Sequence, residues 1–111
     1  MGLIERYKNQ IQRLCENYKV KTLYSFGSVN TTEFTQDSDV DLLVDFKIDD
    51  PIEYSDNYFD LKFELEKIFN RQIDLLESKA IRNPFLKESI NKTKVLVYGQ
   101  WNKDLTSNKP F

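Results

Sequence analysis

The 111-residue chain has no histidine, a single cysteine, and only three glycines and three prolines. Without histidine, the usual neutral-pH general base and the commonest zinc ligand are both missing. One cysteine, Cys15, excludes an intramolecular disulfide and a cysteine zinc site. Sixteen Lys+Arg against eighteen Asp+Glu leave a net charge of −2, so the basic excess of a nucleic-acid binder is absent and no direct nucleic-acid binding is expected. Long apolar runs are also lacking. Glu5, Arg6, Lys8, Arg13 and Glu16 interrupt residues 1–20, which argues against a signal-peptide core or a membrane span and for a cytoplasmic protein with no membrane role. On that expectation, the glycosylation sequons Asn30-Thr31-Thr32 and Asn91-Lys92-Thr93 are chance matches. Chemistry here must rest on carboxylates, hydroxyls, lysines and a hard cation.

What is present suffices for one packed domain: 40% of residues are hydrophobic, including eight Phe and six Tyr. Ile4, Tyr7, Ile11, Leu14, Cys15 and Tyr18 recur at helical spacing and predict an amphipathic helix over residues 3–18, with Cys15 an inert core thiol. Val20–Phe26 predicts a strand ending at Gly27, residues 28–37 a loop or short helix, and Val40–Phe46 a buried strand. Lys47–Ser55, with its Asp-Asp-Pro, predicts a turn or loop. A helix over Asp56–Asn70 would bury Phe59, Leu61, Phe63, Leu65, Ile68 and Phe69, with Tyr54 and Tyr58 at the surface or facing a partner. A strand follows at Gln72–Glu77, then a helix opened by Pro84 with Phe85, Leu86 and Ile90 on its apolar face, then a strand at Lys94–Tyr98. The order predicts an α+β (α/β-like) fold, a small mixed β-sheet with helices packed on it. Residues 1–99 are expected to form the domain, and 100–111 an appended or partly mobile tail.

The pattern that carries chemistry is Phe26-Gly27-Ser28, ten residues, then Asp39-Val40-Asp41-Leu42-Leu43-Val44-Asp45-Phe46. Strand alternation puts Asp39, Asp41, Leu43 and Asp45 on one face and Val40, Leu42, Val44 and Phe46 on the other. The second set must meet the core. The first puts two carboxylates about 6–7 Å apart along the strand, where their repulsion calls for a divalent cation. Mg²⁺ takes one or two carboxylates and completes its shell with water and substrate phosphate. Gly27 lets a ligand approach the backbone closely, and the Ser28 hydroxyl can donate to a phosphate oxygen. A third carboxylate, Asp74, interrupts the apolar run Gln72-Ile73-Asp74-Leu75-Leu76, where an unpaired charge is costly unless it faces the same cluster. Such a residue can orient or deprotonate an attacking hydroxyl in two-metal nucleotidyl transfer. Asp45 would leave the cluster as a solvated strand end. An EF-hand fails because Leu42 and Ile48 stand where Gly and Glu are required, and no Gly-Lys-Ser/Thr follows a strand to make a P-loop.

Gly27-Ser28-x₁₀-Asp39-x-Asp41, with Gln72-Ile73-Asp74-Leu75 and the strand Lys94–Tyr98, resembles the minimal nucleotidyltransferases of the polymerase-β-like superfamily over about residues 3–98. The resemblance implies a mixed sheet with helices on one side, Mg²⁺ held by Asp39, Asp41 and Asp74 in a two-metal site, and ATP as the nucleotide on Gly27 and Ser28. It also implies a partner, since many members are antitoxins that transfer AMP to a tyrosine of a HEPN-domain ribonuclease toxin. The segment after Ser28 departs from the family pattern: Val29-Asn30-Thr31-Thr32 replaces an Arg-Ala-Arg-Gly type of sequence, leaving Lys21, Lys47 or a partner to supply charge for the triphosphate. Two rivals to the enzyme reading follow. One is a weak or inactive binding module that neutralises its partner by covering it, and the other is a transferase acting on a small hydroxylated acceptor.

Overall fold

The computed structural model describes residues 2–99, so the tail over 100–111 lies outside the described residues. Helices α1 (Leu3–Arg6) and α2 (Lys8–Asn17) occupy the span predicted as one helix, separated by Tyr7, whose ψ of 19° leaves the helical range. Ile11 and Cys15 of α2 are buried. Strand β1 (Val20–Phe26) runs into a short 3-10 turn at Gly27–Asn30, and β2 (Val40–Phe46) follows an irregular loop. Helix α3 (Pro51–Phe69), β3 (Ile73–Glu77), α4 (Pro84–Thr93) and β4 (Val95–Tyr98) complete the described domain.

Helix α3 begins five residues earlier than the sequence suggested. Asp50 is its N-cap, accepting a hydrogen bond from the Glu53 amide at 3.0 Å, and Pro51 fills the first turn. Asp-Asp-Pro is thus a helix start and not a turn, because proline costs nothing where the backbone N–H is already unpaired. Asn83 and Pro84 open α4 in the same way.

The sheet order is β3-β2-β1-β4, with β2 and β3 parallel and the other pairs antiparallel. Val40, Leu42, Val44 and Phe46 face the main core, as alternation requires, packing with Leu23, Ile73 and Leu75 against Ile11 and Cys15 of α2 and Leu61, Leu65 and Phe69 of α3. Phe26 and Leu43 alternate to the opposite face, where Ile90 of α4 packs on them. The helices therefore cover both faces, not one.

Several apolar assignments change. Leu61, Leu65 and Phe69 form the buried stripe of α3, whereas Phe59 and Phe63 are 63% and 61% exposed. They lie two positions out of phase with Leu61 and Leu65, about 200° around the helix. On α4 only Ile90 is buried, and Phe85 is 80% exposed. Tyr54 and Tyr58 go the other way: both pack against the core, and the Tyr58 hydroxyl donates to the Leu75 carbonyl. No helix among the described residues is long and apolar enough to cross a membrane.

Candidate active site

Topology alone brings the acidic strand positions to one sheet end. Because β1 and β2 are antiparallel, the end of β1 meets the start of β2, and Phe26 lies opposite Asp41. Because β2 and β3 are parallel, their starts coincide, and Asp41 lies opposite Asp74. Gly27, Asp41 and Asp74 thus meet at one corner, while Lys21 and Lys47 sit at the far ends of β1 and β2, where the Lys47 amide bonds the Lys19 carbonyl. Lys21 and Gly27 are six residue steps apart along the strand, about 20 Å, and Lys47 lies as far from Asp41, so neither lysine supplies charge at this corner.

Gly27 has φ +74°, a left-handed conformation, and a β-carbon added to it would fall 2.5 Å from Asp41 Oδ2. The missing side chain is what lets the Asp41 carboxylate lie over the turn. Next to it, the Ser28 carbonyl closes the turn by accepting from the Thr31 amide (2.9 Å) and hydroxyl (3.0 Å). The Ser28 hydroxyl makes no hydrogen bond to another described residue.

Asp41 is partly buried, and its pKa is raised first by that burial and then by the charges of Asp74 and Asp39. Asp39 and Asp74 are exposed. Asp74 is therefore not a buried charge in need of a partner; register with Asp41 is what places it near the others. None of the three forms an ion pair among the described residues, and no three His, Cys, Asp or Glu side chains there are gathered closely enough to hold a metal ion as a group. Mutually repelling carboxylates without a cation fit Mg²⁺, which takes few protein ligands and relies on phosphate and water for the rest. Asp45 is not the solvated strand end expected. Its side chain is 18% exposed, Oδ1 is shielded without a hydrogen bond, and Lys79 approaches it at 3.8 Å.

Three residues outside the motif's fixed positions, Thr93, Asn30 and Arg71, fix this corner. Thr93, the last residue of α4, accepts the Gly27 amide proton on Oγ1 at 2.9 Å. Asn30 donates its side-chain amide to the Ser25 carbonyl (3.1 Å) and the Thr93 carbonyl. Arg71 reaches the loop before Asp39. No spacing rule could have found Asn30 and Thr93, which meet only in the folded chain.

A four-stranded mixed sheet with a Gly-Ser turn beside acidic strand positions is the architecture of a nucleotidyltransferase domain. The sequence matches the family described as polymerase beta, nucleotidyltransferase, over residues 9–103, and the chain belongs to that family. It is 38% identical over 84 residues to a Methanocaldococcus jannaschii protein with the provisional name protein adenylyltransferase MJ1379, covering 76% of this chain and 83% of that one. Its fold resembles a solved structure provisionally assigned as a minimal nucleotidyltransferase, with TM-score 0.68, 26% identity and coverage of 86% of this chain and 95% of that one. It also resembles a chain in the complex of tri-AMPylated Shewanella oneidensis HEPN toxin with MNT antitoxin, with TM-score 0.63, 19% identity and coverage of 92% and 77%. By family, this chain is a nucleotidyltransferase enzyme.

Proposed function

We propose that the chain transfers AMP from Mg²⁺·ATP to a tyrosine hydroxyl of a HEPN-type ribonuclease toxin and thereby acts as its antitoxin in the cytoplasm. The observation that carries this reading is the register of Asp41 with Asp74 beside Gly27, which gathers uncompensated negative charge next to a free serine hydroxyl. Asp39, Asp41 and Asp74 would hold Mg²⁺, which supplies charge neutralisation for the phosphates. Ser28 donates a hydrogen bond to a phosphate oxygen, and Gly27, with no side chain, lets the Asp41 carboxylate lie against the turn beside it. Asp74, the most lateral of the three, faces the acceptor. The phenolic oxygen attacks the α-phosphorus, the bond from that phosphorus to the bridging oxygen breaks, pyrophosphate leaves, and Asp74 takes the phenol proton. The adenylyltransferase name of the archaeal relative and the AMPylated HEPN toxin in the similar complex support both the nucleotide and the partner.

The test is to incubate the full chain with labelled ATP, Mg²⁺ and the protein encoded beside it. Label should pass to a partner tyrosine and vanish with EDTA or with Asp39→Asn plus Asp41→Asn. Labelling that survives those substitutions removes the carboxylates from the reaction. One observation favours the binding-module reading: residues 28–39 contain no lysine or arginine to meet a triphosphate. On that reading the partner is captured tightly and stays unlabelled.

A further inference from the structure

Asp39 is the least anchored of the three carboxylates. Strand β2 starts one residue later, and residues 31–39 form an irregular, largely exposed loop. Neither the sheet ladder nor the core fixes its place. Its two flanking residues are held instead. On one side the Ser38 carbonyl accepts from Arg71 Nη1 at 2.7 Å, and the same nitrogen lies 3.3 Å from the Thr35 carbonyl. On the other, the Val40 amide donates to the Gln72 carbonyl at 3.3 Å. Arg71 and Gln72 are consecutive, and two residues further on the chain reaches Asp74.

Arg71 has no carboxylate partner among the described residues. Its guanidinium is spent on two carbonyls of one turn, and its carbon sits 4.8 Å from the centre of the Phe34 ring, itself packed against the main core. The guanidinium lies over the ring while one nitrogen reaches two carbonyls, a planar, forked geometry that a lysine ammonium lacks. The turn is closed from within by the Ser38 amide to the Thr35 carbonyl (3.2 Å) and the Thr35 amide to Ser38 Oγ (3.0 Å), so it moves as one unit when gripped.

We propose that Arg71 is a positioning residue that sets where Asp39 stands relative to Asp41 and Asp74, and so tunes the affinity of this corner for a divalent cation bound with nucleotide. The proposal rests on reading those carboxylates as the cation's ligands. Arg71 acts through the Thr35–Ser38 turn and touches neither the cation nor the nucleotide. Groups that orient metal ligands from behind commonly change affinity by about 10–100-fold when lost.

The test titrates the full chain with Mn²⁺ in the presence of a non-hydrolysable ATP analogue, following free Mn²⁺ by electron paramagnetic resonance. Arg71→Ala should raise the half-saturating Mn²⁺ concentration by about tenfold, and Arg71→Lys, which keeps the charge but not the planar fork, by less. Asp39→Asn should weaken binding too, and adding Arg71→Ala to it should cost nothing more, since the two act on one element. Wild-type affinity in Arg71→Ala, or additive losses in the double variant, would overturn the proposal while leaving the metal reading intact. A wild-type protein that binds no Mn²⁺ with the nucleotide present would overturn both. Should Arg71→Ala fail to fold, Arg71→Lys decides: unchanged affinity there counts against the proposal.

Discussion

Asn30 donates its side-chain amide to the Thr93 carbonyl at 2.9 Å, joining two segments 63 residues apart. Together with the Gly27 amide on Thr93 Oγ1, this bond ties the end of α4 to the Gly-Ser turn. The turn's shape is therefore set by a helix on the opposite side of the sheet from the main core. Thr93→Val removes the acceptor and strands the Gly27 N–H, and should cost about 1 kcal/mol in urea unfolding. It should also raise KM for ATP. Thr93→Ser, which keeps the hydroxyl, should match the wild type in both.

Gly27 tolerates no side chain for two separable reasons. A β-carbon would meet Asp41 Oδ2 at 2.5 Å, and φ is +74°. Gly27→Ala should lose transfer activity and cost more than the 1–2 kcal/mol or so that a left-handed backbone exacts from alanine. In an Asp41→Ala background the clash disappears and only the backbone cost should remain. Equal destabilisation in both backgrounds would show that the carboxylate does not occupy that space.

At Asp41 the expected stability change runs opposite to the role proposed for it. Burial, then Asp74 and Asp39, raise its pKa above the ordinary 3.8, so folding favours its neutral form. The stability this contributes is complete below the ordinary value and is lost as pH rises through the raised one. Asp41→Asn, permanently neutral, should melt higher than the wild type at pH 7, by about 2–4 °C. The gap should close at pH 3 and reverse at pH 7 when Mg²⁺ and nucleotide stabilise only the wild type. Calorimetry at the two pH values checks the sign.

On α3, the core stripe and the exposed aromatics should respond in opposite ways to truncation. Leu65 is fully buried and Phe63 is 61% exposed. Leu65→Ala should cost about 2–5 kcal/mol, whereas Phe63→Ala should stay within about 0.5 kcal/mol. Were both side chains in the core, as helical periodicity alone suggests, both losses would be large.

Cys15 gives an independent reporter of unfolding. Its thiol is buried and its pKa is pushed up to about 12, first by that burial and then by Glu16. An aromatic disulfide reagent at pH 8 should leave it untouched in the native protein and modify it at the rate of global unfolding. Rapid modification of the native protein would mean that α2 opens locally.

Much of this domain is legible in its sequence, for identifiable reasons. Strict alternation in Val40–Phe46 names its core face, because a one-residue shift would bury Asp41 and Asp45 among leucines. Proline and asparagine mark the start of α4 for a chemical reason that does not depend on context. Local pattern failed where two equally apolar faces compete. Phe59 and Phe63 are as hydrophobic as Leu61 and Leu65, and nothing within the helix says which pair meets the sheet. It also misjudged Asp45, whose burial beside Lys79 depends on the segment after β3.

By itself, the sequence determined the element types, the acidic positions on one face of a strand, and a Gly-Ser pair at the end of another, since each is a matter of neighbours along the chain. Only the tertiary structure decided that Asp41 stands beside Asp74, that α4 crosses the second face, and that Asn30, Thr93 and Arg71 brace the corner. Those relations depend on strand order and direction. Strand order and direction are fixed by the packing of the whole chain, and no stretch of residues contains them.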